Sequence, residues 1–176
     1  AARGRPRWRR AFLIPRSEIE GFRVQNNRLR ARNARHFEEN PIDLIRIFKV
    51  AHDEGMEIHP KSLRGITQKA RLVSVHHLQD DPEANAICLD ILCHSRNPLE
   101  LRRLMNDTSV IGYLLPEFRA VVGMMQFNRY HHYTVDEHTL RAVGIMHRIA
   151  NDEGDEGMGR ATAVFGEIVQ TRALFV

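Results

Sequence analysis

The chain is poor in cysteine, in aromatic residues and in long apolar runs, and each shortage removes a class of protein. Two cysteines, Cys88 and Cys93, in 176 residues give no disulfide framework. Five apart on one predicted helix, they lie about 7.5 Å apart along its axis and point in different directions, so they read as reduced core thiols. No stretch approaches the roughly eighteen apolar residues that span a bilayer, and the basic N-terminus is not followed by the apolar core of a signal peptide. The expectation is a cytoplasmic protein with no membrane partner. No repeat of fixed period occurs, which argues against a solenoid.

What is present is an apolar fraction of 43%, enough for one domain with a real core and too much for a disordered or collagen-like chain. The net charge of +4 is concentrated at the start, where Arg3, Arg5, Arg7, Arg9 and Arg10 fall within ten residues. Arg3-Gly4-Arg5-Pro6 has the look of a minor-groove DNA hook. No recognition helix accompanies it, so a solvated arm is the preferred reading and nucleic acid is not an expected partner. A nucleic-acid-binding protein would lose affinity steeply with salt.

Residues 1–20 therefore read as a basic flexible arm leading into a hairpin. Phe22-Arg23-Val24 and Leu29-Arg30-Ala31 alternate apolar and polar about Asn26-Asn27, a pair that tolerates the positive φ of a two-residue turn. Beyond it the chain is punctuated by proline after a capping residue, at Asn40-Pro41, His59-Pro60, Asp81-Pro82 and Asn97-Pro98. The pattern predicts helices at about 41–53, 61–79, 82–94, 98–106, 117–126, 135–151 and 161–174. The expected fold class is all-α, a multi-helix array with one short β-hairpin near the N-terminus. Asn151 to Arg160 reads as a mobile acidic loop lacking the ligand pattern of a calcium site. The apolar ending Ala173-Leu174-Phe175-Val176 carries no cap and reads as a helix cut partway.

The most informative segment is His131 to Val143, HHYTVDEHTLRAV. Val135, Leu140, Val143, Ile145 and Met146 give apolar positions at mixed three- and four-residue spacings, Asp136 and Glu137 occupy a first turn that favours carboxylates, and Thr134 is a candidate N-cap. His138 thus stands one turn into an amphipathic helix. Met124 and Met125, just upstream, read as core filling, and His76-His77 as part of a polar face.

Other blocks stand in a fixed order around this one: Phe37-Glu38-Glu39-Asn40-Pro41-Ile42-Asp43-Leu44-Ile45-Arg46, Leu101-Arg102-Arg103-Leu104-Met105-Asn106, Ile111-Gly112-Tyr113-Leu114-Leu115-Pro116-Glu117-Phe118 and Val122-Gly123-Met124-Met125-Gln126. Together they resemble the bifunctional uridylyltransferase/uridylyl-removing enzymes that modify the nitrogen-signalling protein PII. The resemblance implies a nucleotidyltransferase domain, a helical connecting region, an HD-type phosphohydrolase domain and small-molecule-sensing domains. On that pattern, residues 21–126 are the connecting region and residues 127–176 are the opening, incomplete part of the HD domain.

An HD site uses a His, a His-Asp pair and a later Asp to hold Mg2+ or Mn2+, which activates water against a phosphodiester. His138 matches the first ligand, and no His-Asp pair follows it. His131 would support that ligand or touch substrate phosphate if the segment before the helix turns back. One imidazole cannot fix such an ion, so no complete catalytic site is expected and the isolated chain is expected to be inactive. Nucleotidyl transfer of this family needs a Gly-Ser turn around the triphosphate, and no Gly-Ser dipeptide occurs. UTP and UMP would be handled by parts of the enzyme outside this chain, with PII as the protein partner.

An earlier set, His36, His52-Asp53 and one of Asp80, Asp81 or Asp90, imitates the ligand order. Its first two members fall at opposite ends of one predicted helix, roughly 15 Å or more apart, so it is read as a decoy. The alternative to an enzyme segment is a stand-alone helical protein-interaction module, docking through residues 98–126 and binding its partner without metal.

Overall fold

The computed structural model describes residues 17–94, 98–124, 133–151 and 159–168, with the side chains of 93, 94, 98 and 99 outside that description. Expectations for the arginine arm, His131, Met125 and the acidic loop at 152–158 fall outside the described residues.

Two tight hairpins open the fold. Strands β1 (Glu18–Ile19), β2 (Phe22–Gln25) and β3 (Arg28–Arg30) run antiparallel, with Ile19 opposite Phe22 and Gln25 opposite Arg28. The Asn26-Asn27 turn takes φ of 51° and 59°, as its composition predicts. A second turn of the same kind, Glu20-Gly21 with φ of 43° and 87°, was not expected, and it extends the sheet back to Glu18.

The chain then forms α1 (His36–Glu39) and α2 (Asp43–Asp53) before returning as β4 (Glu57–Ile58), which pairs parallel to β3 with Leu29 opposite Ile58. The expected multi-helix array holds, but the single hairpin is corrected: it is the centre of a four-stranded sheet in the order β1-β2-β3-β4. The two added strands, β1 and β4, have two residues each, too few to show alternation.

Helix α2 is the centre of the core. Leu44, Ile45, Ile47 and Phe48 have no exposed surface, and the helix packs on β3, β4, α5 (Pro82–His94) and α6 (Pro98–Asp107). It stops where Gly55 takes φ of 62°, so that Gly55 N–H donates to His52 C=O and Met56 N–H to Ala51 C=O.

The long helix expected at 61–79 is three pieces: α3 (Pro60–Lys69), α4 (Leu72–Val75) and a 3-10 turn at Leu78–Asp80. His77, at φ 51°, breaks it. Helices start at Pro60, Pro82 and Pro98 as expected, whereas Asn40-Pro41 precedes a helix that begins only at Asp43 after an Ile42 N-cap; a capping side chain is seen at the first two. His59 Nδ1 accepts from Lys61 N–H at 3.1 Å, and Asp81 Oδ1 accepts from Ala84 N–H at 2.8 Å. The helix expected at 117–126 shrinks to α8 (Pro116–Arg119), preceded by an unexpected α7 (Val110–Leu114). Met124 is 51% exposed rather than core filling. The described chain closes with α9 (Val135–Ala150) and α10 (Gly159–Gly166). Among the described residues no helix is long and apolar enough to cross a membrane.

Candidate functional site

Helix α9 carries the only candidate ligand among the described residues, so its attachment matters. It begins at Val135 after Thr134, whose backbone has the extended conformation of an N-cap but whose side chain makes no capping bond. Asp136 and Glu137 stand in the first turn as expected, and they have a further role. They hold α9 to α6.

Asp136 is buried. Its Oδ2 accepts from Asn106 Nδ2 at 2.8 Å, and its Oδ1 accepts from Gly123 N–H at 3.1 Å. Burial alone would raise the pKa of this carboxyl, but hydrogen bonds from Thr134, Asn106 and Gly123 outweigh it and hold the group below the usual range. Glu137 faces the guanidinium of Arg103, whose Nε lies 3.1 and 3.2 Å from its two oxygens and whose terminal nitrogen also donates. Arg141 Nε adds a bond of 2.9 Å from one turn along α9, with its guanidinium 4.0 Å over the Tyr133 ring. The Arg103 bond, then that of Arg141, lowers the pKa of Glu137.

His138 follows directly and is exposed on α9. On the buried side, Leu140 packs into the core and Gly144 crosses the fully buried Arg102, which donates to Leu92 C=O at 2.5 Å. The imidazole therefore sits on the open side of a helix whose opposite side is locked down.

The imitation ligand set disperses. His36 is 2% exposed between the Phe22 and Phe37 rings, with Nε2 3.0 Å from Asp43 Oδ2. The pair is a close electrostatic contact. Arg46 links the same Asp43, at 2.7 Å, to Glu83 at 2.5 Å. Burial lowers the pKa of His36 and raises that of Asp43, the latter against the pull of Arg46. Asp53 and Asp90 do converge, but on an ammonium: Lys49 Nζ is 2.8 Å from one and 2.5 Å from the other. Among the described residues no group of three or more His, Cys, Asp or Glu side chains could hold a metal ion.

Two hollows lie among the described residues. One of about 430 Å³ is lined by Ala51, His52, Met56, Leu63, Leu101 and others of α2, β4, α3 and α6, and no α9 residue borders it. A second, of about 240 Å³, lies beside the Asp136 anchor, between Asn106, Tyr113 and Arg119.

Arg103 and Asn106 were not singled out from the sequence, although both stand in a quoted block. Their spacing of three puts them on one face of α6, a usable signal. What the sequence does not carry is the partner, 30 or more residues away.

Comparison with known proteins bears on the whole chain. The chain is 40% identical over 168 residues to a bifunctional uridylyltransferase/uridylyl-removing enzyme of Azospirillum brasilense, covering 96% of this chain and 18% of that protein. It is 38% identical over 158 residues to the enzyme of the same description in Erythrobacter litoralis (strain HTCC2594), covering 90% of this chain and 17% of that one. The chain thus spans less than a fifth of the length of these relatives. No solved structure is similar enough to count as a match. The family model described as uridylyltransferase GlnD third domain matches residues 22–114, from the start of β2 to the end of α7, and the chain belongs to that family.

Proposed function

We propose that this chain is a central part of a cytoplasmic enzyme that attaches UMP from UTP to the signalling protein PII and removes it by hydrolysis. In this reading, residues 21–126 form the helical connecting region of the nucleotidyltransferase, and residues 127–176, with α9, open an HD-type phosphohydrolase with His138 as one metal ligand. The observation that carries it is the continuous similarity to bifunctional uridylyltransferase/uridylyl-removing enzymes across 96% of the chain, which runs through α9.

Among the described residues the site supplies one ligand. An exposed imidazole on a braced helix suits a single position in a mixed histidine and carboxylate set, whose remaining donors come from outside the described residues. Bound Mg2+ or Mn2+ would supply a more acidic water and charge stabilisation at the phosphoryl group. The part of this chain is to hold the His138 imidazole in a fixed place on α9. In the net reaction a water oxygen bonds to phosphorus, the phosphorus–oxygen bond to the protein breaks, and the released protein oxygen takes up a proton.

The test is Mn2+-dependent release of UMP from uridylylated PII. The full-length enzyme should be active, its His138→Ala variant inactive and residues 1–176 alone inactive. Activity in residues 1–176 alone would return attention to His36, His52 and Asp53. Activity retained by His138→Ala would overturn the assignment of that residue. Metal-independent binding of PII by this chain, with no hydrolysis in either form, would favour the interaction-module reading.

A further inference from the structure

We propose that Arg103, seconded by Asn106, is a positioning residue for the hydrolytic reaction: it fixes the first turn of α9, and with it His138, on the helical connecting region. This rests on the reading of His138 as a metal ligand. The clasp joins two segments of different standing. Arg103 and Asn106 belong to α6, inside the stretch matched by the family model, whereas Asp136 and Glu137 belong to α9, beyond it.

The geometry is that of a two-point mount. Arg103 reaches Glu137 through two nitrogens of its fork: Nε is shared between the two carboxylate oxygens and the terminal nitrogen donates to Oε1, which limits rotation as well as separation. Asn106, one turn further along α6, holds the adjacent residue Asp136 at 2.8 Å. Two anchors one turn apart define the direction of α9, where one would leave a pivot. A third strut comes from the 120s, where Val135 N–H donates to Met124 C=O at 2.9 Å and Gly123 N–H to Asp136. Arg141 cannot replace Arg103, because it lies on α9 itself and moves with Glu137. His138 is the next residue, about 100° around the helix from Glu137. Any tilt at the clasp is therefore passed to the imidazole with almost no lever between them. A displacement of about 1 Å in a reacting constellation can cost on the order of a hundredfold in rate.

The experiment uses the full-length enzyme and Arg103→Met, which keeps the apolar stem and removes the fork. Two readouts are taken: hydrogen exchange of the α9 amides from Glu137 to Arg141 without metal, and the ratio of UMP removal to UMP transfer. Exchange should rise about tenfold. The kcat for removal should fall between about ten- and a hundredfold, with KM for uridylylated PII and the transfer rate unchanged. Glu137→Gln should match it, and the double variant should be no worse than either single one. Met105→Val, which loosens the core under α6 without touching the clasp, should lower thermal stability and leave the ratio alone. If Arg103→Met does not fold, Arg103→Lys keeps the charge without the fork and should fall between it and the parent.

His138→Ala separates the two ideas. It should abolish removal while leaving α9 exchange as in the parent. Unchanged exchange and ratio in Arg103→Met, with His138→Ala inactive, overturns the positioning role alone. Retained removal in His138→Ala overturns the proposed function, and the positioning role with it.

Discussion

Asn106 and Asp136 are 30 residues apart in sequence and 2.8 Å apart in the fold, and the backbone N–H of Gly123 shares the same carboxylate. Three segments therefore meet at one side chain. Truncation by Asp136→Ala leaves the Thr134, Asn106 and Gly123 donors without their acceptor, and the expected loss is about 1–3 kcal/mol. Urea unfolding of the chain should show a lower midpoint with an unchanged slope. An unaltered midpoint would mean that water replaces the carboxylate at no cost.

His36 gives the chain an acid-side weakness. Its pKa is lowered in the fold because burial disfavours the charged ring, so between the ordinary histidine value of 6.5 and the lower folded value the unfolded chain binds more protons. Stability is then intact above pH 6.5 and falls as the pH drops through and below it. Asp43, raised by burial, has the opposite sign and acts nearer its ordinary value of 3.8, and the two titrate as a pair. Thermal melts at pH 7.5 and 5.5 should show a larger drop for the parent than for His36→Gln. Equal drops would remove His36 as the cause.

Gly144 sits mid-helix in α9 with ordinary room above it. A Cβ there would meet its nearest neighbour, the Arg102 guanidinium, at 3.9 Å. Gly144→Ala should therefore gain helix propensity without a clash, stabilising the chain by about 0.5–1 kcal/mol. A lower melting temperature would show that the buried guanidinium tolerates nothing closer.

Lys49 occupies the place between Asp53 and Asp90 that a cation would otherwise be assigned. All three side chains are at least a third exposed, so Lys49→Ala should cost under about 1 kcal/mol. Two exposed carboxylates offer too few oxygens for a hard cation, so Mn2+ should not raise the melting temperature of this variant. A Mn2+-dependent rise absent from the parent would revive the earlier ligand set.

Strong local signals were readable in advance. Asn26-Asn27 announced its turn, Pro82 and Pro98 announced helix starts, and the apolar stripe around Leu140 announced α9. The failures share a cause. His77 breaks a helix through a backbone conformation that its side chain does not advertise, and β4 is set by pairing with β3 rather than by its own two residues. At the candidate site the exposed imidazole was visible as a residue type on a face. Its mounting was not, because Arg103 and Glu137 look like ordinary surface charges until the fold brings α6 to α9.

The parallel pairing of β3 with β4 has a consequence for the order in which the chain can assemble. The two hairpins are closed by neighbouring residues and can form within microseconds, but Arg28 meets Glu57 across 29 residues that include all of α2. That loop is costly to close while it is slack and cheap once α2 has folded it short. Completion of the sheet at β4 therefore depends on α2, whose folding shortens the loop that brings Arg28 to Glu57.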